Sequence, residues 1–289
     1  MITGTTRLLG VIGYPIHHSL SPVMHNAAIA QLQADYAYLP FPIAPDHLAT
    51  AIAGFEAIGL EGFSVTIPHK QAIMPLLSEI SEVAQAIGAV NTVWRTKQGW
   101  KGTNTDVTGF LTPLRSQLQD WSKINAVILG NGGAARAVVA ACTQLGCKQV
   151  QVVGRNSQKL QAFLDSWQGS SLTPPLSVHD WEELPALLPH AGLLVNTTPI
   201  GMAPHAQASP LSDADLKRLT PGTIAYDLIY TPRPTQFLQQ AETQGAVIMD
   251  GLEMLVQQGA AALELWLNQA APVEVMRRSL LNHFDKTPG

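Results

Sequence analysis

The chain is 289 residues long, carries a formal net charge of −4, and only 13% of its residues are charged. With 46% hydrophobic residues and a mean hydropathy of +0.11 it can bury a large core, which excludes a disordered chain. The slightly acidic balance leaves no footprint for nucleic acid, and the length suits two domains.

Strand-like and helix-like patterns alternate along most of the chain, the signature of an α/β fold with mostly parallel sheets. In the first third, strands are predicted over residues 8–13, 37–42 and 62–66, and helices over 22–32, 46–58 and 69–77. Residues 91–94 and 100–102, on either side of Gln98-Gly99, read as a short hairpin, and a helix over 107–118 leads into the second half. There, strands are predicted over 124–129, 150–153, 193–196, 224–227 and 247–249, while the Pro/Ser-rich stretch 169–177 reads as a surface loop. Two helical patterns, 252–268 and 273–285, follow, separated by Pro272. No strand is left for them to pair with, so they are expected to pack back on the first domain. The expected division is therefore residues 1–106, residues 107–250, and a C-terminal helical segment 251–289.

Within the second half, the apolar run Ala126-Val127-Ile128-Leu129 ends in Gly130-Asn131-Gly132-Gly133-Ala134 and turns at once into an alanine-rich helical pattern. Gly130 permits the tight turn, Gly132 lets backbone approach a pyrophosphate, and Ala135 allows close helix–strand packing. The N–H groups of the new helix then face the anion. A second apolar run, 149–153, follows about 25 residues on, which is the βαβ spacing of a Rossmann-like dinucleotide site. An NAD site places a carboxylate at the end of that run, whereas this chain has Gly154, Arg155, Asn156, Ser157 and then Lys159. A guanidinium binds a 2′-phosphate that a carboxylate would repel, so the site reads as one for NADP. Arg155 also reads as a solvated loop charge.

Three polar clusters lie at the ends of predicted strands in the first half, where open α/β sheets hold ligands. In Tyr14-Pro15-Ile16-His17-His18-Ser19-Leu20-Ser21-Pro22, Ser19 and Ser21 are two apart and can donate to one carboxylate or hydroxyl. Ser21 also reads as the N-cap of the helix that Pro22 begins, whereas Ser19 has no such structural role. In Ser64-Val65-Thr66-Ile67-Pro68-His69-Lys70, the lysine falls in the first turn of a helix, against the dipole, which marks it as a functional candidate. In the third cluster, Asn91 can bond a polyol, and Asp106, at the start of the helix that Val107 begins, reads as an N-cap. His17, His18 and His69 are read as structural.

No run of apolar residues reaches membrane-spanning length; the longest candidate, 251–271, is interrupted by Glu253, Gln257, Gln258, Glu264 and Asn268. The N-terminus lacks the apolar region of a signal peptide, and the two cysteines, Cys142 and Cys147, read as small hydrophobes in a reducing compartment. A cytoplasmic location, a small-molecule substrate, no nucleic-acid or membrane partner, no metal, and a monomer or homodimer are expected.

The chain resembles the shikimate dehydrogenases in the order and spacing of its motifs. These are Ser19-Leu20-Ser21-Pro22, Val65-Thr66-Ile67-Pro68-His69-Lys70, Gly88-Ala89-Val90-Asn91-Thr92, Asn104-Thr105-Asp106 and Gly130-Asn131-Gly132-Gly133-Ala134. Asn196-Thr197-Thr198-Pro199-Ile200-Gly201-Met202, Tyr226-Asp227-Leu228-Ile229-Tyr230 and the run Asp250 to Gln258 continue the series. The resemblance implies NADPH-dependent reduction of 3-dehydroshikimate to shikimate, in aromatic amino-acid biosynthesis. It also implies an N-terminal substrate domain beside a Rossmann-like NADP-binding domain. By the matching motifs, Ser19, Ser21, Thr66, Lys70, Asn91, Asp106, Tyr230 and Gln258 would line the substrate pocket, with Lys70 and Asp106 as the catalytic pair. Gly130, Asn131, Gly132, Gly133, Ala134, Arg155, Thr197, Gly251 and Met254 would hold the cofactor. Where NADP-specific members commonly read Asn-Arg-Thr, this chain has Gly154-Arg155-Asn156, with Asn156 and Lys159 as replacement donors. The Ser-Leu-Ser spacing matches shikimate-specific members better than quinate-using ones.

Oxidising a secondary alcohol by hydride loss requires its hydroxyl proton to leave, and no Ser-His-Asp set or metal cluster is evident in the sequence. Lys70 is therefore expected to exchange the proton, with Asp106 bonding the substrate and balancing the charge. The alternatives are a broad quinate/shikimate dehydrogenase using NAD, and a non-catalytic NADP-binding module.

Overall fold

A computed structural model describes residues 2–117 and 119–286. The expectations for Leu118, at the end of the predicted helix 107–118, and for Met1 and residues 287–289 lie outside the described residues. The chain forms two compact units, one built from residues up to Gly109 together with those from Leu255 onward, the other from Phe110 to Met254.

The first unit begins β1 (Arg7–Gly13), α1 (Ser21–Gln31), β2 (Tyr36–Pro42), α2 (Leu48–Ala57), β3 (Gly62–Val65) and α3 (His69–Ala72). It continues with β4 (Glu79–Ile80), α4 (Glu82–Ile87), β5 (Thr92–Thr96), β6 (Gly99–Thr103) and the start of α5 (Asp106–Arg115). Its sheet runs β2-β1-β3-β5-β6-β4 among the described residues. The β1–β2 and β1–β3 pairs are parallel, β5 is antiparallel to both β3 and β6, and β4 is parallel to β6. The parallel part sits between helices, so β1 and β3 read as near-continuous apolar runs, and Leu9, Ile12, Phe63 and Val65 are buried. Phe63 packs between Phe55 of α2 and Trp100 of β6, at ring separations of 5.4 and 5.2 Å. Burying that ring contributes about 2–3 kcal/mol.

The predicted helix 69–77 is broken. Only His69–Ala72 is α-helical, and Met74–Leu76 forms a 3₁₀ turn, because Pro75 lacks the N–H that a continuing helix needs. The two-residue β4 gave no alternating pattern long enough to read.

The second unit contains β7 (Asn125–Leu129), α6 (Gly133–Leu145), β8 (Gln149–Gly154), α7 (Ser157–Asp165), β9 (Leu176–Asp180) and α8 (Leu184–Leu187). β10 (Ala191–Asn196), α9 (Asp213–Leu216), β11 (Ile224–Asp227), α10 (Gln236–Thr243) and β12 (Val247–Met249) complete it. The described strands form an all-parallel sheet in the order β12-β11-β10-β7-β8-β9. The order reverses direction between β7 and β10, which opens a crevice at their C-terminal ends. β9 overlaps the end of the stretch predicted as loop. It is a half-buried edge strand of mixed polarity, Leu176-Ser177-Val178-His179-Asp180, and carries no clean period.

Helices α11 (Leu252–Leu267) and α12 (Val273–Lys286) follow β12. In the first unit α12 packs along α1, and Trp266 of α11 donates from its indole N–H to the Val93 carbonyl at 2.9 Å. No described helix is long and apolar enough to cross a membrane.

Candidate active site

In the first unit the strand directions bring one set of chain segments to one edge of the sheet. β1 and β3 end there, leading to Ser19 and to Thr66 and Lys70; antiparallel β5 starts there, just after Asn91; β6 ends there, just before Asp106. The serine loop, the lysine, the asparagine and the aspartate are far apart in sequence, yet the sheet alone makes them neighbours along that edge.

Lys70 Nζ donates to Asp106 Oδ2 at 2.5 Å, and the two side chains are 17% and 7% exposed. The other carboxylate oxygen, Oδ1, accepts from Asn91 Nδ2 at 2.8 Å. Asn91 is fixed in turn: its Oδ1 accepts the Thr105 N–H at 2.7 Å and the Thr92 hydroxyl at 2.9 Å. A backbone N–H can only donate, so the Asn91 NH₂ must face the carboxylate. Asn104 completes the frame, donating to the Ala89 carbonyl at 3.0 Å and accepting the Asp106 N–H at 3.0 Å. Gln258 of α11 reaches the same asparagine, its Oε1 3.4 Å from Nδ2, while its own NH₂ donates to the Leu255 carbonyl at 2.8 Å. An ammonium and a carboxylate at hydrogen-bond distance, mostly out of water and rigidly aimed, can hand a proton to or from a bound alcohol or ketone.

Lys70 is placed differently from the sequence argument. Its helix is a single turn, so there is little dipole to oppose; Asp106 and the Val90 N–H, which donates to the Lys70 carbonyl at 2.8 Å, locate it. The serine roles are also exchanged. The N-cap of α1 is Leu20, with Ser21 as the first helical residue, and the Ser19 Oγ accepts the Ser21 N–H at 3.4 Å. Ser21 is buried, and the buried Tyr38 phenol of β2 donates to Ser64 Oγ at 2.9 Å. Tyr38 and Ser64 were not singled out from the sequence, because an aromatic on an alternating strand reads as core. Thr66 is half-buried at the end of β3, with its methyl against Gly13. His69 is buried with Nε2 2.7 Å from the Ile43 carbonyl, and His17 and His18 are exposed.

The second unit carries the glycine loop. Gly130 has φ +99°, and a Cβ there would meet Thr197 Oγ1 at 2.9 Å. Thr197 uses its hydroxyl to donate to the Leu129 carbonyl at 2.7 Å, which pins the end of β10 to the end of β7. A Cβ at Gly132 would meet nothing within 4 Å, and α6 begins at Gly133 with no side-chain cap. Open space beside helix N–H groups fits a phosphate. Ala135 is fully buried under the helix, while Asn131, Gly133 and Ala134 are half-buried. At the end of β8, Arg155 and Lys159 are exposed; Asn156 caps α7 by accepting the Lys159 N–H at 2.9 Å, and Ser157 donates to Asp180 at 2.7 Å. Gly251 and Met254 are buried, and Tyr230 is half-buried two residues after the Leu228 turn.

Behind that turn, Asp227 is fully buried and accepts from Asn196 Nδ2 at 3.0 Å, the Ile229 N–H at 3.1 Å and the Thr235 hydroxyl at 2.7 Å. Burial outweighs these donors and pushes its carboxyl up to about 6. The native state therefore holds this proton more tightly than the unfolded chain. The stability that this group contributes is complete below about pH 4, falls as pH rises, and is lost above about 6. Urea midpoints measured between these limits are expected to decline for the protein and to flatten for Asp227→Asn, whose amide still accepts on one side and can donate to Thr235 on the other. A decline of equal slope in the variant would assign the effect elsewhere.

Among the described residues no group of three or more His, Cys, Asp or Glu is placed to hold a metal ion. Residues 11–93 match the family model of the shikimate dehydrogenase substrate binding domain, and residues 251–281 match that of the shikimate 5′-dehydrogenase C-terminal domain. The chain is 66% identical over 286 residues to a shikimate dehydrogenase (NADP⁺) of Nostoc sp., covering 98% of this chain and 99% of that one. Its fold is similar to the crystal structure of shikimate dehydrogenase from Aquifex aeolicus, with a TM-score of 0.87 at 35% identity, over 97% of this chain and 99% of that one. A quinate dehydrogenase of Corynebacterium glutamicum, in complex with NAD, is similar at TM-score 0.86 and 30% identity, over 96% and 99%.

Proposed function

The chain belongs to the shikimate dehydrogenase family, and on that premise we propose that it reversibly reduces 3-dehydroshikimate to shikimate with NADPH. The observation that carries the reading is the Lys70–Asp106 pair, 2.5 Å apart at the sheet edge and held by Asn91. A binding module that only held nucleotide would have no use for it.

The residues of the glycine loop fit a dinucleotide, because Gly132 faces open space at the start of α6. When bound there, the nicotinamide cofactor supplies or takes up the hydride. Gly130 to Ala134, Thr197, Gly251 and Met254 would hold its body, and Arg155, Asn156 and Lys159 its 2′-phosphate. Lys70 Nζ would give its proton to the substrate oxygen in reduction and recover it in oxidation, with Asp106 bonding the same region of the substrate and balancing the ammonium. Ser19 and Ser21 would bind the substrate carboxylate, and Thr66, Asn91, Tyr230 and Gln258 would fix the ring for the transfer. The protein would act as a monomer or homodimer in the cytoplasm; its two cysteines are free and buried, which suits a reducing compartment.

Values of kcat/KM for shikimate and quinate, each with NADP and with NAD, test the assignment. Shikimate with NADP is expected to lead. Comparable values for quinate with NAD would favour the broader dehydrogenase suggested by the quinate-using relative, and cofactor binding without turnover would sink both. Arg155→Ala is expected to lower kcat/KM for NADP by about 10–100-fold, the loss of charge-assisted bonds to one phosphate, with NAD changed less than about threefold. Equal losses with both cofactors would remove Arg155 from the 2′-phosphate.

A further inference from the structure

From Leu255 onward α11 belongs to the first unit, and it is seated there by one face. Gly259, Ala262 and Trp266 recur at i, i+3 and i+7, so they line a single stripe of the helix. At the end of that stripe the Trp266 indole N–H donates to the Val93 carbonyl of β5 at 2.9 Å. The indole fills the space that a side chain on Gly62 of β3 would need. A Cβ at Gly62 would come within 2.3 Å of Trp266 Nε1 and 2.9 Å of the Val93 carbonyl oxygen. The ring is closed in by His25 and Tyr38, at ring separations of 5.4 and 5.8 Å. At Gly259 the helix meets α1 just as closely, since a Cβ there would lie 2.3 Å from Met24 Cε and 3.3 Å from His25 Nε2.

We propose that Trp266 is a positioning residue for substrate binding: its bond to Val93 sets where α11 lies along β5 and so places Gln258 beside Asn91. The proposal rests on the reading of Gln258 as a ligand of the substrate ring. Gln258 precedes Trp266 by eight residues, about 12 Å along the helix axis, and Asn91 precedes Val93 by two. The same helix therefore meets the same stretch of chain at two points. Gln258 Oε1 is 3.4 Å from Asn91 Nδ2, near the outer limit of a hydrogen bond, so that contact is too weak to hold the helix. The Gln258 NH₂ donates to the Leu255 carbonyl at 2.8 Å, which aims the side chain but leaves the helix free to slide. Apolar contacts are non-directional and tolerate such a slide. An indole N–H on a backbone carbonyl is directional, and Gly62 leaves room for the ring at that one place. A slide of about 1 Å takes the Gln258 amide out of reach of a ligand that Asn91 also holds. Lys70 and Asp106 are located by each other, by Asn91 and by the Val90 N–H, so proton transfer is expected to survive the loss of the indole bond.

The experiment is Trp266→Phe in the full chain, which keeps an aromatic ring in the slot and removes the N–H. KM for shikimate is expected to rise about tenfold, with kcat within about threefold and KM for NADP unchanged. The melting temperature is expected to fall by no more than about 4 °C, the loss of one hydrogen bond. In a double-mutant cycle, Trp266→Phe is expected to add little to the KM of Gln258→Ala, because it acts through that glutamine. An unchanged KM in Trp266→Phe, or additive effects in the cycle, would overturn the proposal, because a residue that only stabilises the fold moves the melt and not KM. An unchanged KM in Gln258→Ala would instead overturn the ring-binding reading of the glutamine, and this proposal with it. If Trp266→Phe does not fold, Gly62→Ala, which keeps the indole but sets a methyl where its Nε1 lies, replaces it in the same cycle. A raised KM that is not additive with Gln258→Ala supports the proposal; any other result, failure of both variants to fold included, overturns it.

Discussion

Lys70→Ala is expected to lower kcat by about 10²–10⁴-fold while the fold survives and KM for shikimate changes little. The ammonium is the group 2.5 Å from Asp106 in a site where both side chains are mostly out of water. Removing it leaves the Asp106 carboxyl without the amino group that exchanges a proton with the substrate in this account. The backbone tie between Val90 N–H and the Lys70 carbonyl does not depend on the side chain, so the loop is expected to stay in place. Asn91 still holds Asp106 through Oδ1, and under the proposed function the serines would keep the substrate carboxylate and Thr66 and Gln258 the ring. Steady-state kinetics beside a thermal melt separate chemistry from folding. Near-normal turnover in a folded Lys70→Ala protein would remove the lysine from proton transfer.

Gly251→Ala is expected to be the most damaging of the conservative changes to stability. A Cβ at that position would sit 2.1 Å from the Leu228 carbonyl oxygen and 2.6 Å from its carbon, and these are backbone atoms that no rotamer change can move. The segment is anchored on both sides, with the Leu228 N–H on the Asn196 carbonyl at 3.1 Å and the Ile229 N–H on Asp227 at 3.1 Å. Accommodating the methyl means shifting that turn against its hydrogen bonds, at a cost of about 1–3 kcal/mol. For a chain of this size that lowers Tm by roughly 2–10 °C. A melt within a degree of the parent would mean the turn yields freely, and the glycine would then be explained by ligand approach alone.

The α/β architecture was legible because its signals are local. Apolar runs such as 126–129 and 150–153 ending in glycine, with alanine-rich helical patterns between them, need no tertiary information. Lys70, Asp106 and Asn91 could be picked out because each follows or precedes a strand, where the sheet must gather them. What sequence could not give was their wiring. Asn91 meets Gln258 across 167 residues, and Tyr38 reaches Ser64 across 26; no period or spacing encodes either bond. Likewise Ser21 read as a helix cap when Leu20 is the N-cap and Ser21 the first helical residue, and the position of Lys70 was credited to a helix dipole that a four-residue helix scarcely has. Edge strands β4 and β9 were missed because one is two residues long and the other is half-buried throughout, so neither shows the alternation on which strand prediction depends.

The central claim is that the Lys70 amino group and the Asp106 carboxyl meet the alcohol of the substrate. A crystal structure with shikimate bound tests it most directly. The account predicts the reacting ring oxygen within about 3.2 Å of Lys70 Nζ and hydrogen-bonded to Asp106, with the substrate carboxylate on Ser19 and Ser21. Shikimate bound at this sheet edge with no ring oxygen in reach of either group, or bound elsewhere in the molecule, would contradict it.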